Sequence, residues 1–486
     1  MLHSRQHSRK VSSWQEFLVI AIVIVLITGR FFTERVVILP RFINTIDLVA
    51  VPFLLPLCLL WVVSHQGGRF KGKSIVLLSV LFCIAWALAW LVNYNEVNWL
   101  GGLLLVVGLL TPVLFFLILI NFGLDRRFCR RLLRVLNILF IINLVLATID
   151  AASAIITNKG GGDFVFGTFG MNQNQLAFFL AVMITFKLTR WHFQGLRLQD
   201  QFILGWAVLL FLLCGFQTLW VVLPVVMMCG FGLVGQLWSK RLLRVITVVV
   251  VLVAIIMPSL MNSGRFFSMT TKAEQFVANF NDLGKVELLR NVPLIWQLRP
   301  YSFFLGVGPG TFNSKAFRSI AIIPYQGGPN ANDVAAAIVA PFYTSELSDR
   351  FIVSYFTRGI FMLSGGNTDA PFTSYVSVPI EIGVPGGVAF FGIYGLVVFA
   401  LVRSIRRTSE VQVRILGTWA LISLLMLLSI AAIDNYLETT RYTLLVWLSI
   451  AVWKIYTATQ SQSVELTEMG VQEQARVKKS SIQQQF

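Results

Sequence analysis

Runs of about 20 apolar residues, each long enough to cross a hydrocarbon core of ~30 Å as a helix, recur along nearly the whole of this chain. The chain therefore reads as an all-α polytopic membrane protein of about twelve transmembrane helices. The spans fall at approximately 14–33, 43–63, 74–92, 99–121, 134–156, 172–189, 201–217, 219–238, 245–262, 373–402, 414–433 and 440–456. A tight turn is expected at Gln217-Thr218, between the seventh and eighth spans. Residues 1–262 hold spans 1–9, and 263–372 form one large extracytoplasmic helical loop between spans 9 and 10. Residues 373–456 hold spans 10–12, and 457–486 are a polar, Gln-rich tail read as disordered.

Composition agrees with a lipid environment. The chain is 56% hydrophobic and 13% charged, more apolar than the core of a 486-residue soluble protein requires. Forty Phe and thirteen Trp suit lipid-facing helices with aromatic belts. A net charge of +17 raises the question of nucleic acid. The basic residues instead follow the positive-inside rule. The strongest cluster, Arg126, Arg127, Arg130, Arg131 and Arg134, sits between two spans and anchors one face. With the N-terminus inside, cytoplasmic segments hold 25 Lys and Arg against 14 on the other side, nine of those in the long loop. Long loops cross regardless of charge, so the short ones decide, and both termini are expected in the cytoplasm. The first run resembles a signal peptide but is long and lacks a small-x-small cleavage site, so it reads as an uncleaved span. The long loop has no cysteine, which excludes a disulfide framework there, and no Cys/His spacing suits a metal.

Polar residues expected at the non-cytoplasmic ends of the spans and in the long loop are Asp150, Asp163, Asn172, Asn174, Gln217, Asp282, Glu287, Arg290, Arg299, Arg318, Asp349, Arg350, Arg358, Asp369, Glu381, Asp434, Glu438 and Arg441. They could ring a cavity. Arginine is the informative type, because its fork binds phosphate bidentately and stays charged in a dry site. Arg290 and Arg299 flank one amphipathic stretch, and Arg265 stands just past a span. The competing reading is that these arginines snorkel to headgroups or cap helices. Glu381 is an ionisable residue within a span, a functional candidate by default. Gly383, Pro385, Gly386 and Gly387 follow it, which points to a broken helix. The alternative for Glu381 is a structural hydrogen bond to nearby backbone. All four histidines fall on the cytoplasmic side, so a base on the other side must be a carboxylate, Asp369 or Glu381. The turn Gly306-Val307-Gly308-Pro309-Gly310 lacks the Lys-Ser/Thr that a nucleotide-binding loop needs.

Three segments together resemble the O-antigen ligase and O-antigen polymerase superfamily of bacterial membrane glycosyltransferases. They are FGTFGMNQNQLAFFLAVMI from Phe166, LLRNVPLIWQLRPYSFFLGVGPGTF from Leu288, and DAPFTSYVSVPIEIGVPGGVAFFGIYG from Asp369. The likeness covers roughly residues 165–402. It maps the family arginine onto Arg290, the family glutamate onto Glu381, and the asparagines of the span entry onto Asn172 and Asn174. It implies transfer of a glycan from an undecaprenyl-diphosphate carrier to an acceptor glycan or lipid, without cofactor or metal, at the bacterial inner (plasma) membrane. In that reading Arg290, Glu381 and Asp369 are catalytic, and Arg299, Arg265, Asn172, Asn174 and Gln217 bind substrate. Membrane lipids are partners and nucleic acid is not. Two departures stand out. The family ligases carry a histidine where this chain has Phe372, and an arginine where this chain reads Phe216-Gln217-Thr218. Both favour polymerisation over ligation to lipid A core, and leave an inactive member open. The rival reading is a multi-span transporter of a small solute or anion. It would call for polar residues at mid-membrane and related halves, and neither is evident.

Overall fold

The computed structural model describes residues 13–36, 58, 60, 64, 70–157, 164–170, 172–195, 197–235, 284–317, 345–353 and 373–458. The expected spans 245–262 and nearly all of 43–63, together with Arg265, Asp369, Phe372 and the tail, lie outside them. Among the described residues every regular element is a helix. Seven helices are long and apolar enough to cross a membrane, by length and composition. Two shorter apolar ones accompany them.

The long helices are α1 (Ser13–Arg30), α2 (Lys73–Val92), α3 (Trp99–Asn121), α4 (Arg126–Ile156) and α5 (Gln173–Gln194). A π-helical turn, Phe31–Arg35, extends α1. The shorter pair is α6 (Leu198–Leu213) and α7 (Gln217–Leu233). Next come α8 (Gly284–Leu298) and the single turn α9 (Ser302–Leu305), then α10 (Ser374–Ile382), α11 (Val384–Arg407), α12 (Val411–Ala431) and a last helix, α13, over 440–458.

Three of the differences from the expected boundaries have a clear local reason. Helix α4 begins eight residues early, because the Asp125 carboxylate accepts the Phe128 N–H at 2.8 Å and caps the helix there. The arginine cluster is thus helical rather than a loop. The turn between α6 and α7 comes at Gly215, whose φ of +74° closes α6, not at Gln217-Thr218. Gln217 becomes the first residue of α7. The expected span 373–402 is two helices. Gly383 adopts φ +86°, and the carbonyl oxygen of Phe304 occupies the place a Cβ would need. Pro385 then opens α11, where a missing N–H costs nothing.

Helix α12 is central, packed against α5, α7 and α11, while α11 packs along α2. In a bilayer the packing gain comes from close contact rather than from leaving water. Large rings accordingly fill the interior, and Trp419 is fully buried with its indole N–H donating to the Val182 carbonyl at 2.9 Å. A second, smaller core lies at one end of the bundle. There Leu288, Ile295, Val307, Phe312, Phe317, Leu347 and Ile352 close over Val376 and Ile380 of α10. The basic cluster is at the opposite end, where Arg131 pairs with Glu16 at 2.7 Å and Arg126 with Glu410 at 3.3 Å.

Candidate functional site

The second core is built around the glycine-rich turn that precedes Lys315. Gly306, Gly308 and Gly310 have φ of +68°, +111° and +74°, values that side chains resist. The turn meets the end of α10 backbone to backbone. The Val307 N–H donates to Ile380 O at 2.9 Å and the Gly308 N–H to Glu381 O at 3.2 Å. Its other side lies against α3, where a Cβ on Gly310 would strike the Gly101 backbone.

Glu381 is fully buried beneath this turn. Its Oε2 accepts the Gly310 N–H at 2.6 Å. Its Oε1 accepts those of Phe312 at 3.1 Å, Asn313 at 2.7 Å and Ser314 at 2.7 Å. All four partners are donors, so the ionised form is the one the cradle fits.

A second buried acid completes the arrangement. Glu438 lies in the 3₁₀ turn Tyr436–Glu438, between α12 and α13. Its Oε2 accepts the Lys315 N–H at 2.6 Å, and its Oε1 accepts the Ser377 hydroxyl at 3.0 Å. Burial, and then the negative charge of Glu381, push it up to about 8. Asn435 donates from Nδ2 to Asn313 O at 2.6 Å, tying the same two segments. The N–H groups of residues 310 and 312–315 are therefore occupied from within. Those five backbone donors are thus not available to a phosphate.

The other expected residues divide. Arg290 is exposed on α8, away from the stripe of Leu288, Val292 and Ile295 that faces the second core. Arg299 pairs with Glu96 at 2.7 Å and Glu346 at 3.5 Å, and the Glu96 hydrogen bond raises its already high pKa. Asn172 caps α5, its Oδ1 accepting the Gln175 N–H at 3.0 Å, and Asn174 is half-buried in the first turn of that helix. Gln217 is half-buried at the start of α7. The glycine and phenylalanine turn before Asn172 is held by α4. Asp150 accepts the Phe166 and Gly167 N–H groups at 3.0 and 2.9 Å and also pairs with Arg35. Thr168 donates to Ile27 O at 2.8 Å.

Glu438, Ser377, Asn313 and Asn435 are the residues that sequence reasoning did not single out. Glu438 stood there only as one polar residue in a ring. The signal that could have found it is a carboxylate in a link of only six residues between two spans, 434–439, where desolvation demands a partner.

A narrow cleft of about 30 Å³ lies between α1, α3, α5 and α13. It is lined by apolar side chains, among them Val23, Phe115, Phe169, Phe178 and Leu448, with Gln175 and Arg441 as the polar members. Phe169, Gln175 and Phe178 belong to the first motif segment. Among the described residues no group of three or more His, Cys, Asp or Glu is arranged to hold a metal ion. No protein-family model matches this chain, and no curated protein matches it.

Proposed function

We propose that this protein is a membrane glycosyltransferase that polymerises, or transfers, glycans from undecaprenyl-diphosphate-linked donors in surface polysaccharide synthesis. It works at the non-cytoplasmic face of a bacterial inner membrane, with both termini in the cytoplasm. The observation that carries this reading is the interlock of the second and third motif segments. The turn 306–315 closes on Glu381, and the same short module presents Arg290 on an exposed helix beside the membrane-crossing helices. A donor whose diphosphate lies at the membrane edge meets a permanent cation there.

In the transfer step an acceptor hydroxyl oxygen bonds to the anomeric carbon of the donor. The bond from that carbon to the diphosphate oxygen breaks, and the diphosphate leaves on its polyprenyl chain. Arg290, with Arg265 and Arg299, stabilises the developing charge. Asp369 takes the hydroxyl proton. Glu381 is a positioning residue in this scheme, since its two oxygens already hold the turn. Asn172 and Asn174 orient sugar hydroxyls near the entry of α5, and Gln217 does so at the start of α7. No metal or cofactor is invoked.

The test is to delete the gene and separate surface glycans and lipid-linked intermediates by size, then repeat with Arg290→Ala at matched protein level. Loss of long chains with build-up of single-repeat carriers in both strains supports polymerisation at this site. Normal-length chains accumulating on the carrier identify ligation as the step. Unchanged glycans in the deletion strain sink the proposal, and solute uptake then becomes the assay.

A further inference from the structure

The module that carries Arg290 leaves a line of large apolar side chains uncovered. Helix α8 turns Leu288, Val292 and Ile295 toward the second core. On the neighbouring flank Leu294 is 47% exposed and Leu298 50%. The line continues through Tyr301, 43% exposed, to Phe304, 63% exposed. Spacings of four, three and three residues keep the four on one side, because the backbone keeps helical turns across Arg299-Pro300. There the Ser302 N–H donates to Arg299 O and the Leu305 N–H to Tyr301 O, both at 2.9 Å. A contiguous apolar line of this kind is costly to hold in water and marks a contact surface.

Its position says what covers it. Helix α9 packs against α2, α10 and α11. The Phe304 carbonyl abuts Gly383, where α11 begins. Arg299 is tied to Glu96, in the link between α2 and α3. That link is bracketed by Tyr94, 68% exposed, and Trp99, 65% exposed. Exposed Tyr and Trp at the ends of apolar helices mark the membrane–water interface. The apolar line of α8 and α9 is thus continuous with the lipid-facing surface of the bundle, at the level where that surface ends.

We infer that α8 and α9 lie in the membrane interface at this end of the bundle, with Leu294, Leu298, Tyr301 and Phe304 inserted among the lipid chains. The occupant of this face is the lipid leaflet itself. Arg290 stands four residues before Leu294 on the same flank, so its guanidinium reaches the layer of headgroup phosphates. Exposure and packing alone place α8 and α9 there, whether or not the glycan-transfer reading holds. If that reading holds, the inference explains how an arginine meets a lipid-borne diphosphate without lifting it from the bilayer.

Nitroxide side chains at Leu298→Cys and Phe304→Cys test it, in the full chain with its five native cysteines replaced by alanine. The protein is reconstituted in vesicles of phosphatidylethanolamine and phosphatidylglycerol. Collisions are measured with oxygen, which concentrates among acyl chains, and with a water-soluble nickel chelate. Oxygen collisions should dominate at both positions. Dominance of the nickel chelate at either one overturns the inference. If the cysteine replacements prevent folding, a benzophenone amino acid at Phe304 in the otherwise native chain reports the same contact. Lipid adducts support it, and their absence overturns it.

Discussion

The Glu381 carboxylate accepts the backbone N–H of Gly310 at 2.6 Å, across 71 positions of sequence. Three more N–H groups of the same turn converge on it. Each buried donor left without an acceptor costs ~1–3 kcal/mol. Glu381→Gln keeps one oxygen for the three donors on Oε1 but sets an amide NH₂ against the Gly310 N–H, so it should destabilise the protein by about 1–3 kcal/mol. Thermal unfolding in detergent checks this. A Gln variant with an unchanged midpoint but no glycan transfer would show that Glu381 acts in chemistry instead.

Stability should depend on pH through Glu438. Its pKa is raised to about 8 in the folded chain, mainly by burial and then by the charge of Glu381. The folded state therefore holds a proton that the unfolded state releases near the ordinary glutamate value. This contribution to stability is fully present below about pH 4 and is lost as pH rises through about 8. The unfolding midpoint should fall between pH 5 and 8 in the native chain and fall less in Glu438→Gln. Parallel curves for the two proteins would remove Glu438 from the account.

Two glycines hold the interlock at close range. A Cβ on Gly306 would meet the Glu381 carbonyl, and one on Gly383 would meet the Phe304 carbonyl. Both also adopt positive φ. Gly306→Ala and Gly383→Ala should each cost more than the ~1 kcal/mol of an unfavourable φ alone. Gly205→Ala, in α6 with open space around it, is the control and should fold at least as well as the native chain. Equal unfolding midpoints for all three would contradict the close packing.

Arg290, within α8, and Arg299, just past its end, should separate. Arg299→Ala strands Glu96 and loosens Glu346, and a drop of about 1–2 kcal/mol is expected. Arg290→Ala, at an exposed position, should stay within about 0.5 kcal/mol. Expression level and unfolding midpoint distinguish them. The activity assay on Arg290→Ala is interpretable only if this separation is observed.

Asp150 anchors the first motif segment. Asp150→Ala leaves the N–H groups of Phe166 and Gly167 without their acceptor, next to the start of α5, while Arg35 keeps its bond to the Gly167 carbonyl at 3.1 Å. A loss on the order of 3 kcal/mol is expected, from two N–H groups left without an acceptor at ~1–3 kcal/mol each. Arg35→Ala should cost less, because the two N–H bonds to Asp150 remain. The reverse order of midpoints would mean that the ion pair, and not the turn, is what Asp150 supports.

Much of the membrane architecture was legible from one dimension. Span 99–121 is α3 residue for residue, and 74–92, 172–189 and 414–433 fall on α2, α5 and α12 with no end moved by more than five residues. The break after Glu381 was also readable, since Gly383 and Pro385 advertise it. Two of the misplaced boundaries were decided by a single residue, the Asp125 carboxylate for α4 and Gly215 for the α6–α7 turn. A hydropathy run registers an average over a turn or more and does not see one hydrogen bond.

By itself, the sequence determined that this chain is helical and belongs in a membrane. A backbone in hydrocarbon must satisfy its own hydrogen bonds, and that requirement is written in run length and composition. Only the tertiary structure decided which partners Glu381, Glu438 and Arg299 meet. A carboxylate in an apolar segment reads as a reactive group until its partners are known. The partners of Glu381 lie 67 to 71 residues away, on a turn that no local pattern connects to it. Desolvation makes such a group costly unless donors arrive, and which donors arrive is set by how the chain closes on itself.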